Sequence, residues 1–282
     1  MDIYDAMAKV GLAPPLGVEI VMDGLLHRYR VDGEKLGSQN GWYVCFPTAG
    51  VFGSWRTDQK EVVWFDEKPS TPERINAFRQ QVSEAKRLAE KERWQQHCTA
   101  ADECRRKFYS GALELEDHSY LIKKAVRPYG VRVRNGVLMI PLQDVDGKLW
   151  SLQYIYLDGK KRFAKGGRIT GCFHRIGDEF DPEGIIVIVE GYATGATIYE
   201  NTGYPTFVAF NAGNLEAVAL ILRHKYPKAR IVFAADNDNH LELNIGLMKA
   251  KAAAKAVGGI VVYPRFSAGN TGTDWNDLLT GK

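Results

Sequence analysis

The last hundred residues constrain the fold most tightly. Short apolar runs alternate there with longer amphipathic stretches: IIVIV (185–189) then YATGATIYENTG, PTFVAF then NLEAVALILRHKYP, RIVFAAD then ELNIGLMKAKAAAKAVGG, and IVVYP before a final WNDLLTGK. Runs of five or six residues without polar alternation are strands buried on both faces. Helices returning between them make the sheet parallel. Ligands of such sheets bind beyond the carboxyl ends of the strands. Acids stand at those ends: Glu190 directly follows IIVIV, Asp236 and Asp238 follow IVFAA, and Asp274 and Asp277 lie in TGTDWNDLL after the last strand.

One acid at a strand end is an ordinary helix N-cap. The Asp-x-Asp spacing instead turns two carboxylates to the same side of an extended segment, which favours joint ligation. Five carboxylates converging from three strand ends repel one another unless a cation lies between them. Hard oxygen donors of this kind suit Mg2+ or Mn2+, ions that serve phosphoryl transfer by activating a hydroxyl and stabilising a leaving oxygen.

Upstream, the pattern changes three times. Residues 1–66 read as a small β-rich module, with LLHRYRV, WYVCF, VFGSW and EVVWF separated by Gly-containing turns. Residues 67–117 read as a helical linker: a break at DEKPSTPE, with Ser70 or Thr71 as N-cap, precedes a long charged helix free of Pro and Gly. Residues 118–180 read as a basic α+β subdomain, a short helix (HSYLIKKAVRPYG) leading to GVLMIPLQDV and LWSLQYIYL across the turn DGK. Its tail carries Lys160, Lys161, Arg162, Lys165, Arg168 and Arg175 among glycines, and residues 181–282 make up the acidic domain.

Charge follows this division. Residues 1–175 hold 28 Lys and Arg against 22 Asp and Glu, whereas residues 176–282 hold 9 against 12. A basic front and an acidic back suit a protein that grips a phosphate backbone with one part and metal ions with the other. Two solvated surfaces of unequal charge are the plain alternative. No apolar run reaches the roughly 18 residues of a membrane span and no signal pattern opens the chain, so a cytoplasmic protein with no membrane partner is expected. The four cysteines (Cys45, Cys98, Cys104, Cys172) form no CxxC pair, and no zinc is expected. A phosphate-loop motor motif is missing as well.

In the amino-terminal module, Tyr29, Trp42, Tyr43, Phe46, Phe52, Trp55 and Trp64 interleave with Arg28, Arg30 and Arg56. Rings beside arginines can stack unpaired bases, but a small sheet needs most of its rings for a core. Asn211 and Asn214, in AFNAGNL, stand at another strand end. There they can contact phosphates, or more simply cap the next helix, as is expected of Asn214.

IIVIVEGYATG resembles the first strand and Glu motif of the TOPRIM domain, and AADND resembles its Asp-x-Asp motif. The segment GVLMIPLQDVDGKLWSLQYIYLDGKKRFAKGGRITGCFHRIG is similar to the amino-terminal part of the bacterial-type primase core. The whole arrangement, with HRYRVDGEKLGSQNGWY near the start and TDWNDLL near the end, looks like the primases of phages and plasmids. The resemblance covers residues 118–280 well and 20–65 loosely. It implies an α/β TOPRIM fold preceded by the basic α+β subdomain and the β-rich module. It further implies a primase that makes short RNA primers from ribonucleoside triphosphates on a single-stranded DNA template, with a replicative helicase acting in trans. Carried over, Glu190 becomes a catalytic metal ligand or general acid/base and Asp236 and Asp238 catalytic metal ligands, joined at the metal by Asp274 and Asp277. Lys160, Lys161, Arg162, Lys165, Arg168 and Asn211 become nucleic-acid or nucleotide contacts, with Lys161 and Arg162 facing the metals. Two departures stand out: Ala193 and Thr194 occupy positions where such primases usually carry an acid, and NHLELNIG after Asp238 is longer than usual. A TOPRIM nuclease and a non-catalytic single-stranded DNA-binding adaptor are the alternatives. The primase-like segment argues against the first and the intact acidic set against the second.

Overall fold

The computed structural model describes residues 2–65, 71–113, 118–177, 181–237, 244–266 and 272–281. The chain forms two compact units, Met1–Gln95 and Gln96–Lys282.

In the first unit, helix α1 (Ile3–Lys9) starts at Asp2, whose carboxylate accepts the Asp5 N–H at 2.8 Å. Strands β1 (Leu26–Tyr29), β2 (Gly41–Phe46), β3 (Ala49–Ser54) and β4 (Gln59–Trp64) follow as an antiparallel meander in that order. Gly53 is required there, because a Cβ would collide with the Gln59 carbonyl and the Trp42 indole. The sheet has a core on each face. Tyr29, Tyr43, Cys45 and Phe52 pack with Ile3 and Met7 of α1. On the other side Trp42, Val44 and Val51 meet Phe78, Val82 and Ala85 of helix α2 (Pro72–Tyr109).

Helix α2 serves two cores. Residues 91–96 are exposed all round, and beyond them the stripe Ala101, Cys104, Phe108 belongs to the second unit's interior. That unit continues with α3 (Ser119–Lys124) and a second antiparallel sheet in the order β5 (Arg132–Arg134), β6 (Val137–Gln143), β7 (Leu149–Ile155), β8 (Lys161–Phe163). Next come β9 (His174–Ile176), β10 (Ile185–Val189), α4 (Tyr192–Thr202), β11 (Thr206–Val208) and a 3₁₀ turn (Ala212–Asn214). The chain closes with α5 (Leu215–Lys225), β12 (Arg230–Ala234), α6 (Ile245–Val257), β13 (Ile260–Val262) and α7 (Trp275–Thr280).

The third sheet runs β13-β12-β10-β11-β9, with four parallel strands and β9 antiparallel at the edge. Strand alternation sorts its apolar residues. Ile186, Ile188, Phe207 and Phe233 pack against α5 and α6. Val187, Val189, Val208 and Ala234 pack beneath α4 and share one core with Leu138, Ile140, Leu142 and Ile155 of β6 and β7. The basic subdomain's sheet is thereby fused to the acidic domain. Among the described residues no helix is long and apolar enough to cross a membrane.

One expectation changes on inspection. Asn214 precedes α5 but makes no side-chain cap. Its buried amide instead donates to the Cys172 and Ala209 carbonyls (2.8 and 2.9 Å) and accepts the Gly171 N–H (2.7 Å), tying the glycine-rich tail to the sheet. Of the seven amino-terminal rings, Tyr29, Trp42, Tyr43 and Phe52 are core residues. Trp55 keeps an exposed face, and the Arg28 guanidinium lies 4.5 Å from its ring centre.

Candidate active site

The carboxyl ends of β10 and β12, adjacent parallel strands, set the first two acids side by side. Glu190 is half-buried one residue past β10, where Gly191 opens α4. Its Oε2 points toward α6: a Cβ on Gly246 would lie 3.7 Å from it. Asp236 is half-buried two residues past β12. Residues of both strand ends, with Gly246 and Ala250, line a small shared cavity. Asp238 lies outside the described residues.

Asn237, between the two aspartates of the motif, is the stitch that holds this loop. Its N–H donates to the Thr273 carbonyl (2.7 Å) and its side-chain amide to the Pro264 carbonyl (2.9 Å). Its Oδ1 accepts from Asn244, which also caps α6 through Leu247 N–H. The Thr273 contact brings the start of α7 beside the β12 loop.

Both acids of TDWND and the Asn276 amide are engaged, whereas the Trp275 indole N–H is buried with no hydrogen-bond partner. Asp274 is the N-cap of α7, accepting the Asp277 N–H at 2.8 Å, and Asp277 Oδ2 accepts the Thr273 N–H at 3.1 Å. The Lys124 ammonium of α3 bridges both carboxylates, at 3.5 Å from Asp274 and 3.3 Å from Asp277. Asn276, fully buried, donates to the Lys124 carbonyl and the Thr197 hydroxyl. Burial pushes the Asp277 carboxyl up, but the Thr273 N–H and Lys124 outweigh it, so it titrates below the ordinary carboxylate range. Where five converging ligands were expected, two of the acids hold a lysine. Among the described residues no three acids, histidines or cysteines form a cluster fit to cage a metal.

The basic tail divides by strand alternation. Lys161 begins β8 with its ammonium 5.7 Å from the Tyr120 ring centre, in the field of Asp236, Asp274 and Glu190. Burial of its ammonium and the nearby Lys124 lower its pKa, and the three acids oppose that shift. The residue as a whole keeps solvent exposure, so water screens much of this field. Arg162 points to the opposite face. With Lys160, Tyr156, Leu157 and Asn135 it lines an open concavity of about 540 Å³. Lys161 and Arg162 therefore do not face the acids together. Lys160 also pairs with Asp158 at 2.7 Å. Lys165 is exposed. Arg168 and Lys148 flank Trp150 at 5.1 and 3.9 Å from its ring centre, and Trp150 itself donates to Asp144 at 2.6 Å. Asn211, half-buried after β11, makes no side-chain cap for the 3₁₀ turn it precedes.

Residues 185–282 match the family model of the Toprim domain. The carboxy-terminal third of this chain is thus similar to Toprim domains. Over 95% of its length the chain is 37% identical to a DNA primase TraC of Escherichia coli, and over 94% it is 35% identical to a second one. It spans 26% and 19% of the length of these relatives. Two solved primases resemble it more distantly. The zinc-binding and RNA polymerase domains of the Aquifex aeolicus primase share 13% identity, covering 100% of this chain and 80% of that one, with a TM-score of 0.44. The primase fragment of the bacteriophage T7 primase-helicase shares 19%, covering 61% and 70%, with a TM-score of 0.41.

In the matched region, Glu190 and Asp236 stand just past the ends of the adjacent strands β10 and β12. The side chains that sequence reasoning passed over are Lys124, Asn237, Asn276 and Trp150. Asn237 was marked by its place inside Asp-x-Asp. Lys124, over a hundred residues from its partners, carried no local signal.

Proposed function

We propose that this chain is the catalytic region of a DNA primase of the plasmid and phage type, making RNA primers from ribonucleoside triphosphates on single-stranded DNA. The observation that carries the reading is the placing of Glu190 and Asp236 just past the carboxyl ends of the adjacent parallel strands β10 and β12, with Lys161 of the basic sheet in their field. The identity with the TraC primases along almost the whole chain supports it.

Glu190 and Asp236, with Asp238 by its motif, fit a divalent cation, Mg2+ or Mn2+: they are hard oxygen donors at one edge, partly shielded from water. When bound, such a cation neutralises phosphate charge and eases ionisation of the attacking hydroxyl. Lys161 binds the triphosphate from the other side and offsets charge on the departing pyrophosphate. In the transfer, the primer 3′-oxygen forms a bond to the α-phosphorus while the bond to the β-phosphate bridging oxygen breaks. Glu190 or Asp236 receives the hydroxyl proton. Asp274 and Asp277, held by Lys124, position the loop rather than ligate. Lys160, Arg162, Lys165 and Arg168 guide the template through phosphate contacts, and Asn211 contributes a polar contact at the β11 end. A replicative helicase acts as a separate protein.

The test offers labelled ribonucleotides with single-stranded DNA, and separately supercoiled and linear DNA. Short RNA products that vanish in EDTA support the primase reading. Cleavage of DNA without RNA synthesis would replace it with a Toprim nuclease.

A further inference from the structure

The first unit carries a groove that the primase reading leaves unused. It runs between β4 and the first turns of α2, with a volume of about 810 Å³, a size suited to several side chains. Its apolar lining is Val51, Val62, Trp64, Ile75, Phe78 and Val82. Ser83 and three cations, Lys60, Arg79 and Lys86, complete it, and no acid is among the lining residues. Val62 remains 48% exposed on its floor.

The strand that forms one wall is the last of its sheet. Among the described residues β4 pairs only with β3, so its outer row of N–H and C=O groups faces away from the sheet. With a period of two, Lys60, Val62 and Trp64 share the face that lines the groove. The helical wall from Ile75 to Lys86 spans about 16 Å at 1.5 Å per residue, the length of about five extended residues.

We propose that this groove docks an extended segment of a partner protein, with alternating acidic and aliphatic side chains, that adds as a fifth strand beside β4. Backbone groups of such a segment would satisfy the open edge, its aliphatic side chains would fill the floor, and its acids would meet Lys60, Arg79 and Lys86. Cations alone would also suit a nucleic acid, but the floor does not. Stacking bases need free aromatic faces. The groove's two rings lean on each other, Trp64 and Phe78 at 4.9 Å between centres, with Phe78 only 7% exposed. What remains open is aliphatic.

The experiment uses the full chain and three fluorescein-labelled probes: a decapeptide alternating Asp and Val, one alternating Lys and Val, and a ten-nucleotide oligo-dT. Anisotropy should show the Asp–Val peptide binding at least tenfold more tightly than the Lys–Val peptide. Lys60→Glu and Arg79→Glu, both at exposed positions that leave the core untouched, should each weaken it at least fivefold. Amide exchange should slow along β4 when the peptide is bound. Equal affinity for the two peptides, indifference to both substitutions, or no new protection on β4 would overturn the proposal. So would loss of oligo-dT binding in these variants without any binding of the acidic peptide, which would assign the groove to nucleic acid.

Discussion

Lys124 shows what a single side chain does at this site. It places one ammonium between two carboxylates, one of which caps a helix, with all three side chains 19–26% exposed. Pairs on open surface contribute little and wholly buried ones can cost several kcal/mol to break; a half-buried, doubly shared lysine falls between. Lys124→Met should therefore destabilise the chain by about 1–2 kcal/mol. Asp277→Asn should lose most of its own effect in the Lys124→Met background, as denaturant titrations of the four proteins would show. Strict additivity would mean the pair is idle. His174 offers a second reading at this scale. It is buried in β9, its Nε2 2.8 Å from the Tyr129 carbonyl, and burial lowers its pKa to about 4. Because the folded pKa lies below the unfolded value near 6.5, the unfolded chain binds more protons between them. His174 thus supports the fold fully above pH 6.5, and this support drains away as pH falls toward 4. The loss amounts to about 3 kcal/mol at most, at 1.36 kcal/mol per pH unit. His174→Gln, whose amide can still donate to Tyr129, should flatten the pH dependence of stability in that window; an unchanged profile would locate it in other groups.

Among the elements, β8 is the most instructive. Three residues of strand divide the basic tail: Lys161 toward the acids, Arg162 toward the concavity with Lys160 and Tyr156. Substituting each should therefore produce different defects. Lys161→Met should impair nucleotide incorporation while leaving template affinity nearly intact. Arg162→Ala should weaken single-strand binding and reduce its log–log salt slope by roughly 0.7. Kinetics and salt titrations on the two variants check this, and matching defects would contradict the division. The parallel sheet, its helices and the Glu190 and Asp236 positions were legible from the sequence, because apolar runs and strand-end acids are local patterns. The sorting of Lys161 from Arg162 was not, since a three-residue strand between glycines has too little pattern to reveal its faces. Asn214 was misread for a similar reason: its partners, Gly171 and Cys172, are some forty residues away.

At the scale of the whole chain, two compact units meet within one helix, and α2 gives Phe78 and Val82 to one core and Cys104 and Phe108 to the other. A fragment beginning at residue 96 keeps the second stripe and should fold, melting as one cooperative transition close to that of the second unit in the intact chain. A broad, low-enthalpy transition in calorimetry would show that the units depend on each other. The proposed chemistry lies in that second unit, as nucleotidyl transfer at its strand-end acids. Primer synthesis by Glu190→Gln, assayed beside the unaltered chain on single-stranded DNA with labelled ribonucleotides and Mg2+ or Mn2+, tests it most directly. RNA products are expected from the unaltered chain and only background from the variant, with equal template affinity and thermal stability in both. Undiminished primer synthesis by a folded Glu190→Gln variant would contradict it.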